Sequence, residues 1–251
     1  MDIYEEVDLF YTAFSGEKRI IGQSEEGRNL YAFRIGQGGP LILSQSAIHG
    51  REWITAKLSL AHLQRGLMEG SAWIVPLVNP DGAVLSQTRF PLWKANAKGV
   101  DLNVNFPAKW GMGKENVRIA GSADYIGDFP LCARESSALA AFTRQISPVA
   151  TLSWHTKGEE IYWYFGQTGR QRARDKRLAE MISKKTGYAL RYTPGSTGGY
   201  KDWCIAELGI PSFTIEVGAD RLPHPIAEAT EIISRCIDVP DILVQGIKEQ
   251  V

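Results

Sequence analysis

Short β-rich runs that alternate with helical patterns predict an α/β fold: a single domain with a mixed, mostly parallel central sheet flanked by helices. Two further observations support it. The chain of 251 residues is long enough to bury one core, and no composition shift divides residues 1–251 into separate units.

The strand-like runs are 41–45, 72–78, 149–154 and 212–217. Between the first two, Ile54, Leu58, Ala61 and Leu67 recur at near-helical spacing and predict an amphipathic helix over 53–68. Further helical patterns cover 135–146, 172–186 and 226–237, the second ending at Gly187 as a C-cap would. Residues 86–128 carry many Gly, Asn and Pro and little periodicity, so they read as long ordered loops, a feature usually tied to function.

Hydrophobic residues make up 44% and charged residues 22%, the balance of a folded globular chain. Lys plus Arg and Asp plus Glu are 28 each, so no net field favours nucleic acid. The basic run Arg170, Arg172, Arg174, Lys176 and Arg177 leads into Leu178, Met181 and Ile182 and reads as a solvated helix face. Cys132, Cys204 and Cys236 are too few and too irregular for a disulfide framework or a thiolate metal knuckle. The acidic start lacks the pattern of a signal peptide and no apolar stretch approaches ~20 residues, so no membrane association and a cytoplasmic location are expected.

The chemistry begins in Ser46-Ala-Ile-His-Gly-Arg-Glu-Trp53, where His49 and Glu52 stand three apart between a strand and a helix. Imidazole and carboxylate are natural zinc ligands, and a catalytic zinc needs a third protein ligand with one position left open. His62, His155 and His224 are the remaining histidines. His155 is the best placed, ending a strand at a polar loop; His62 falls within the helical pattern and reads as a packed or surface residue, and His224 lies in a proline-flanked loop. Glu216 is the one carboxylate in the apolar run 212–217, and a nearby metal or catalytic water is the economical compensation for burying it.

His49-Gly-Arg-Glu52, Asn79-Pro-Asp-Gly82, Gly99-Val-Asp-Leu-Asn103, His155 and Thr214-Ile-Glu-Val217 occur in an order that resembles the zinc metallocarboxypeptidase family over most of the chain. The chain looks most similar to the bacterial branch that cleaves γ-D-glutamyl-diaminopimelate bonds in peptidoglycan stem peptides. The resemblance implies one Zn²⁺ per chain on His49, Glu52 and His155, Glu216 as general base and acid, and Asp101 orienting the His49 ring. It also implies that Arg51 faces the substrate cleft and Asn103 hydrogen-bonds the substrate backbone.

Three departures from the pancreatic-type pattern bear on substrate choice. Val104 stands where an arginine usually clamps a terminal carboxylate, and an isopropyl group cannot replace that bidentate clamp. Lys94 aligns with the arginine that stabilises the oxyanion, with Arg89 and Arg51 as substitutes. The family's phenolic partner has no exact counterpart near Thr193-Pro194-Gly195, leaving Tyr192 and Tyr200 as candidates. In Gly198-Gly-Tyr-Lys-Asp-Trp203, similar to the family's pocket-lining loop, the residue that sets side-chain selectivity is Lys201, a cation suited to an anionic group. The substrate expected is therefore a peptidoglycan stem peptide or muropeptide. The competing readings are a carboxypeptidase of other specificity, a deacylase of small acylated amino acids and a non-catalytic wall-peptide binder.

Overall fold

In the computed structural model, which describes residues 1–114, 116–192 and 196–249, one eight-stranded sheet organises the chain. In chain order the elements are α1 (Ile3–Ala13), β1 (Lys18–Gln23), β2 (Asn29–Gly36), β3 (Leu41–Ser46), α2 (Ile54–Arg65), β4 (Ser71–Val75), α3 (Pro80–Thr88), α4 (Arg134–Ile146), β5 (Ala150–His155), β6 (Glu160–Tyr162), α5 (Gly169–Thr186), β7 (Ala189–Arg191), α6 (Tyr200–Leu208), β8 (Ser212–Glu216), α7 (Ala229–Cys236) and α8 (Val239–Lys248). Strand order is β1-β2-β4-β3-β5-β8-β6-β7. The centre, β4-β3-β5-β8, is parallel, while β1, β2 and β6 add antiparallel pairings on either side.

Period-two alternation sends neighbouring residues to opposite faces. Ile42, Ile74, Leu152 and Ile215 join a core covered by α1, α2, α5, α7 and α8. Leu43, Trp73 and Val75 join a second core under α4 and α6. With helices on both faces, the central strands are buried on both sides, which is why they read as continuous apolar runs.

The four strands and the helices 53–68, 135–146 and 172–186 expected from periodicity are present within a few residues. The helix expected over 226–237 divides into a short 3-10 turn, Ile226–Glu228, and α7. Pattern reading did not reach β1, whose residues are half-buried or exposed along their length. The Gly198–Trp203 segment, expected as a loop, is helical from Tyr200, with Asp202 accepting the Gly199 N–H at 3.2 Å. Residues 89–133 are mostly irregular, broken by the turn Leu102–Val104. The three cysteines are free thiols, and no helix among the described residues is long and apolar enough to cross a membrane.

His62 is a packed residue of α2, 1% exposed, its ring 5.4 Å from Trp154 and its Nε2 facing the Cys236 carbonyl at 3.3 Å. Burial holds its pKa down at about 4, so the folded state keeps the ring neutral. Between the ordinary value near 6.5 and about 4 the unfolded chain binds a proton that the fold does not, so this contribution is full above pH 6.5 and is lost as pH falls. The expected result is that His62→Gln flattens the acid limb of stability: the parent's urea-derived stability should fall ~2 kcal/mol more than the variant's between pH 7 and pH 5. Equal losses would show that His62 is not held neutral.

Candidate metal centre and cleft

The parallel strands β3, β5 and β8 all finish at one edge of the sheet, where open α/β folds collect their ligands. His155 is the last residue of β5 and pairs in register with Glu216, the last of β8. The two side chains therefore stand side by side, one strand spacing apart. Just past β3, His49 leads into the 3-10 turn Gly50–Glu52, which swings Glu52 back beneath His49.

Two glycines allow that turn to sit where it does. A Cβ on Gly50 would lie 2.3 Å from the Gly82 carbonyl oxygen, and one on Gly82 would lie 2.4 Å from the Ala95 carbonyl oxygen, so side chains are excluded at both positions. Asn79 fastens the same region: its Oδ1 accepts the Gly82 N–H at 2.9 Å, and its Nδ2 donates to the carbonyls of Ile48 and Ala95 at 3.2 and 3.0 Å. The Asn-Pro-Asp-Gly motif is thus the brace between the His49 turn and the Lys94 segment.

The Nδ1 atoms of His49 and His155 face the two oxygens of Glu52 at 2.8 and 3.0 Å, and all three residues are buried. One ligand atom from each lies within 4.8 Å of the others. Asp101 Oδ1 lies 3.1 Å from His49 Nε2. A carboxylate can only accept, so Asp101 fixes a proton on Nε2 and leaves Nδ1 as the nitrogen that faces Glu52. Nitrogens from two histidines converging on one buried carboxylate, with room for a further ligand, make a zinc donor set. The residues present fit the metal.

Opposing influences act on each site group. Burial disfavours protonated His49, but the carboxylates of Glu52 and Asp101 outweigh it and raise the ring to about 9. Burial pushes the Glu216 carboxyl well above the usual carboxylate range, with the Glu52 charge acting in the same direction. A divalent cation at the triad opposes both shifts. Lys94 is raised, against burial, by Asp101 at 2.6 Å and by contact with Asp124.

A cleft of about 480 Å³ opens over this edge, lined by His49, Lys94, Asp101, Asn103, Val104, Lys201 and Glu216 among others. The Asn103 side-chain oxygen also accepts the Tyr200 N–H at 3.2 Å, tying the cleft wall to the start of α6. Several sequence expectations need correction. Tyr200 is fully buried and its hydroxyl meets Thr143 at 2.9 Å, because the first turn of α6 packs this ring against α4; it cannot reach a substrate. Arg89 is exposed at the C-cap of α3 and is not among the cleft residues. Arg51, half-buried on the 3-10 turn, does not line the cavity either. Tyr192 is 55% exposed and packs on Tyr164, a cleft residue, with ring centroids 4.7 Å apart. Residues 193–195, where the phenolic partner was sought, lie outside the described residues.

Sequence reasoning missed Asp124, Tyr162, Tyr164, Arg191 and Thr214, all of which line the cleft. Thr214 was within reach, since it lies two residues before Glu216 on one strand and so shares its face. The others come from short strands and loops that carry no periodic signal.

Fold and donor set together define a zinc metallopeptidase. The zinc carboxypeptidase family model matches residues 12–236, and the chain belongs to that family. A gamma-D-glutamyl-L-diamino acid endopeptidase from Lysinibacillus sphaericus is 31% identical over 258 residues, covering 87% of this chain; the chain spans 65% of that relative's length. Bovine thrombin-activatable fibrinolysis inhibitor superposes with a TM-score of 0.88 at 22% identity, covering 100% of this chain and 98% of that one, a likeness of fold. A murein-tripeptide amidase from Escherichia coli superposes with a TM-score of 0.64 at 25% identity, covering 93% and 92%.

Removing a ligand should be far costlier than removing its support. His155→Ala is expected to lower zinc affinity by well over the ~10–100-fold expected for Asp101→Asn. Competition with a chromophoric chelator measures both, and full zinc occupancy in the His155 variant would remove that residue from the ligand set.

Proposed function

We propose that this protein hydrolyses the γ-D-glutamyl-diaminopimelate bond of peptidoglycan stem peptides, with Glu216 as general base and acid. The observation that carries the reading is the joint lining of one cleft by Glu216, Val104 and Lys201 beside the metal triad. The printed activity of the Lysinibacillus relative supports it.

Zinc, when bound to His49, Glu52 and His155, supplies a Lewis acid that acidifies water and polarises a carbonyl. The Glu216 carboxylate takes the proton of the attacking water and delivers it to the leaving amine nitrogen. Asp101 keeps the proton on Nε2 of His49 and so holds the ring in its ligand tautomer. The Lys94 ammonium supplies positive charge for the developing oxyanion, without the planar fork of an arginine. Asn103 hydrogen-bonds the substrate backbone.

Val104 removes the guanidinium that would demand a free α-carboxylate, so peptides whose diaminopimelate carboxyl is linked to D-alanine fit the cleft. Lys201 reads the carboxylate on the diaminopimelate side chain.

Two variants test these roles. Glu216→Gln should keep its zinc and lose ~10²–10⁴ in kcat on L-Ala-γ-D-Glu-diaminopimelate; near-normal turnover with zinc bound would place the base elsewhere. Lys201→Met should lower kcat/KM at least tenfold on that peptide and much less on its lysine analogue, as a lost charge-assisted contact of ~2–5 kcal/mol requires. Equal losses on both substrates would give the lysine a role in supporting α6 instead.

A further inference from the structure

Asn96 lies two residues beyond Lys94, on a buried turn outside the cleft. Every polar group it carries is used there. Its backbone N–H donates to the Val100 carbonyl at 2.9 Å, and its own carbonyl accepts the Gly99 N–H at 3.1 Å and Trp93 Nε1 at 3.3 Å. Its side-chain Oδ1 accepts the N–H groups of Lys98 and Val100, both at 3.0 Å. Residues 96–100 are thereby closed around one side chain, and the backbone enters and leaves the turn side by side. Lys94 comes just before the closure and Asp101 just after it, which brings Lys94 Nζ to 2.6 Å from Asp101 Oδ2.

The remaining group of Asn96, its Nδ2, donates to Glu135 Oε2 at 3.1 Å. Glu135 belongs to the first turn of α4 and is fully buried; like Asn96, it does not line the cleft. Its other oxygen accepts the Glu25 N–H at 3.2 Å, from the connection between β1 and β2. Lys98 and Arg134, the cations closest in sequence to this pair, are engaged by the Glu25 carboxylate, at 2.8 and 3.7 Å. The same connection is fastened to the Asn-Pro-Asp-Gly brace, where Asp81 accepts Ser24 Oγ at 2.7 Å and the Glu26 N–H at 2.9 Å.

A carboxylate buried against neutral donors is a poor source of stability, because two ordinary hydrogen bonds replace the hydration it loses. What it supplies is direction. A carboxylate only accepts, so Glu135 draws the Nδ2 end of Asn96 towards itself and commits the Oδ1 end to the two N–H groups of the turn. A neutral amide or hydroxyl in its place would let the Asn96 amide stand either way round. We propose that Asn96 and Glu135 are positioning residues for the reaction: their hydrogen bond fixes the turn from which Lys94 and Asp101 reach the metal centre. Both act through others, through Lys94 as the oxyanion cation and through Asp101 as the group that orients His49. The inference rests on those two roles and adds the pair of residues that sets them.

Exchanging donor and acceptor tests the pair. Asn96→Asp alone turns two carboxylates against each other. Asn96→Asp combined with Glu135→Gln rebuilds the bond in reverse: one oxygen of the new carboxylate still accepts from Lys98 and Val100, the other accepts from the glutamine amide, and the glutamine oxygen takes the Glu25 N–H. The readouts are kcat and KM on L-Ala-γ-D-Glu-diaminopimelate, and zinc affinity by competition with a chromophoric chelator. Asn96→Asp is expected to lower kcat at least tenfold with KM within about threefold, and to weaken zinc binding about fivefold, less than Asp101→Asn does. The double variant should return kcat and zinc affinity to within about twofold of the parent, a recovery that two independent structural losses would not produce. A double variant no better than Asn96→Asp would overturn the pairing, and parental kcat and zinc affinity in Asn96→Asp would overturn the positioning role.

If Asn96→Asp does not fold, Glu135→Gln decides alone: it keeps one of its two hydrogen bonds, should unfold cooperatively in urea, and should lower kcat and zinc affinity about threefold or more. Parental values of both would overturn the inference. Zinc affinity is read without peptide, so a peptide left uncleaved by the parent would count against the proposed reaction while the zinc measurements still decide the role of Asn96 and Glu135.

Discussion

The Glu52 carboxylate, buried between two imidazoles, is the constraint on which the site depends. Burying an unpaired carboxylate carries a penalty on the order of several kcal/mol, and here both oxygens are directed at ring nitrogens, one from the turn after β3 and one from the end of β5. That pairing requires the two strand ends to be in fixed register. Parallel pairing of β3 with β5, and of β5 with β8, provides it and brings Glu216 alongside at no further cost in chain ordering. His155 and Glu216 are held by the sheet itself, and His49 and Glu52 by the turn that follows β3.

Outward from Glu52 the supporting contacts form a connected series. Asp101 links His49 to Lys94, facing the ring through Oδ1 and the ammonium through Oδ2 at 2.6 Å, and its Oδ1 also accepts the Asn103 N–H at 3.0 Å, so His49, Lys94 and Asn103 share one anchor. Asn79 then joins the segments carrying His49 and Lys94 through their carbonyls. Close approach of the Gly50 and Gly82 backbones is what makes both glycines necessary. Residues far apart in sequence thereby act on one ring orientation, and orientation of an imidazole sets which nitrogen can bind a metal.

Charge in the cleft is arranged on the same principle as charge at the triad. Lys94 pairs with Asp101 and Asp124, and Lys201 with Asp202, because partly buried surroundings make an isolated charge expensive.

The sequence by itself determined the central strands, which read as continuous apolar runs, and put forward the metal ligands and the base candidate: His49 and Glu52 stand three apart, Glu216 stands alone in an apolar run, and the order of motifs shared with the zinc metallocarboxypeptidases joins them with His155. It also identified Val104 and Lys201 as departures in recognisable motifs. Tertiary structure alone decided which side chains near those motifs point inward. Tyr200 and Lys201 are adjacent, yet α6 turns the first into the core and the second into the cleft, a difference of one step around a helix that no loop reading contains. Arg191 and Tyr162 became cleft residues only because β6 and β7 add to the sheet beyond β8, and three-residue strands have no periodicity to declare them. Local pattern fixes what a segment can be; the pairing of segments distant in sequence fixes what its side chains meet.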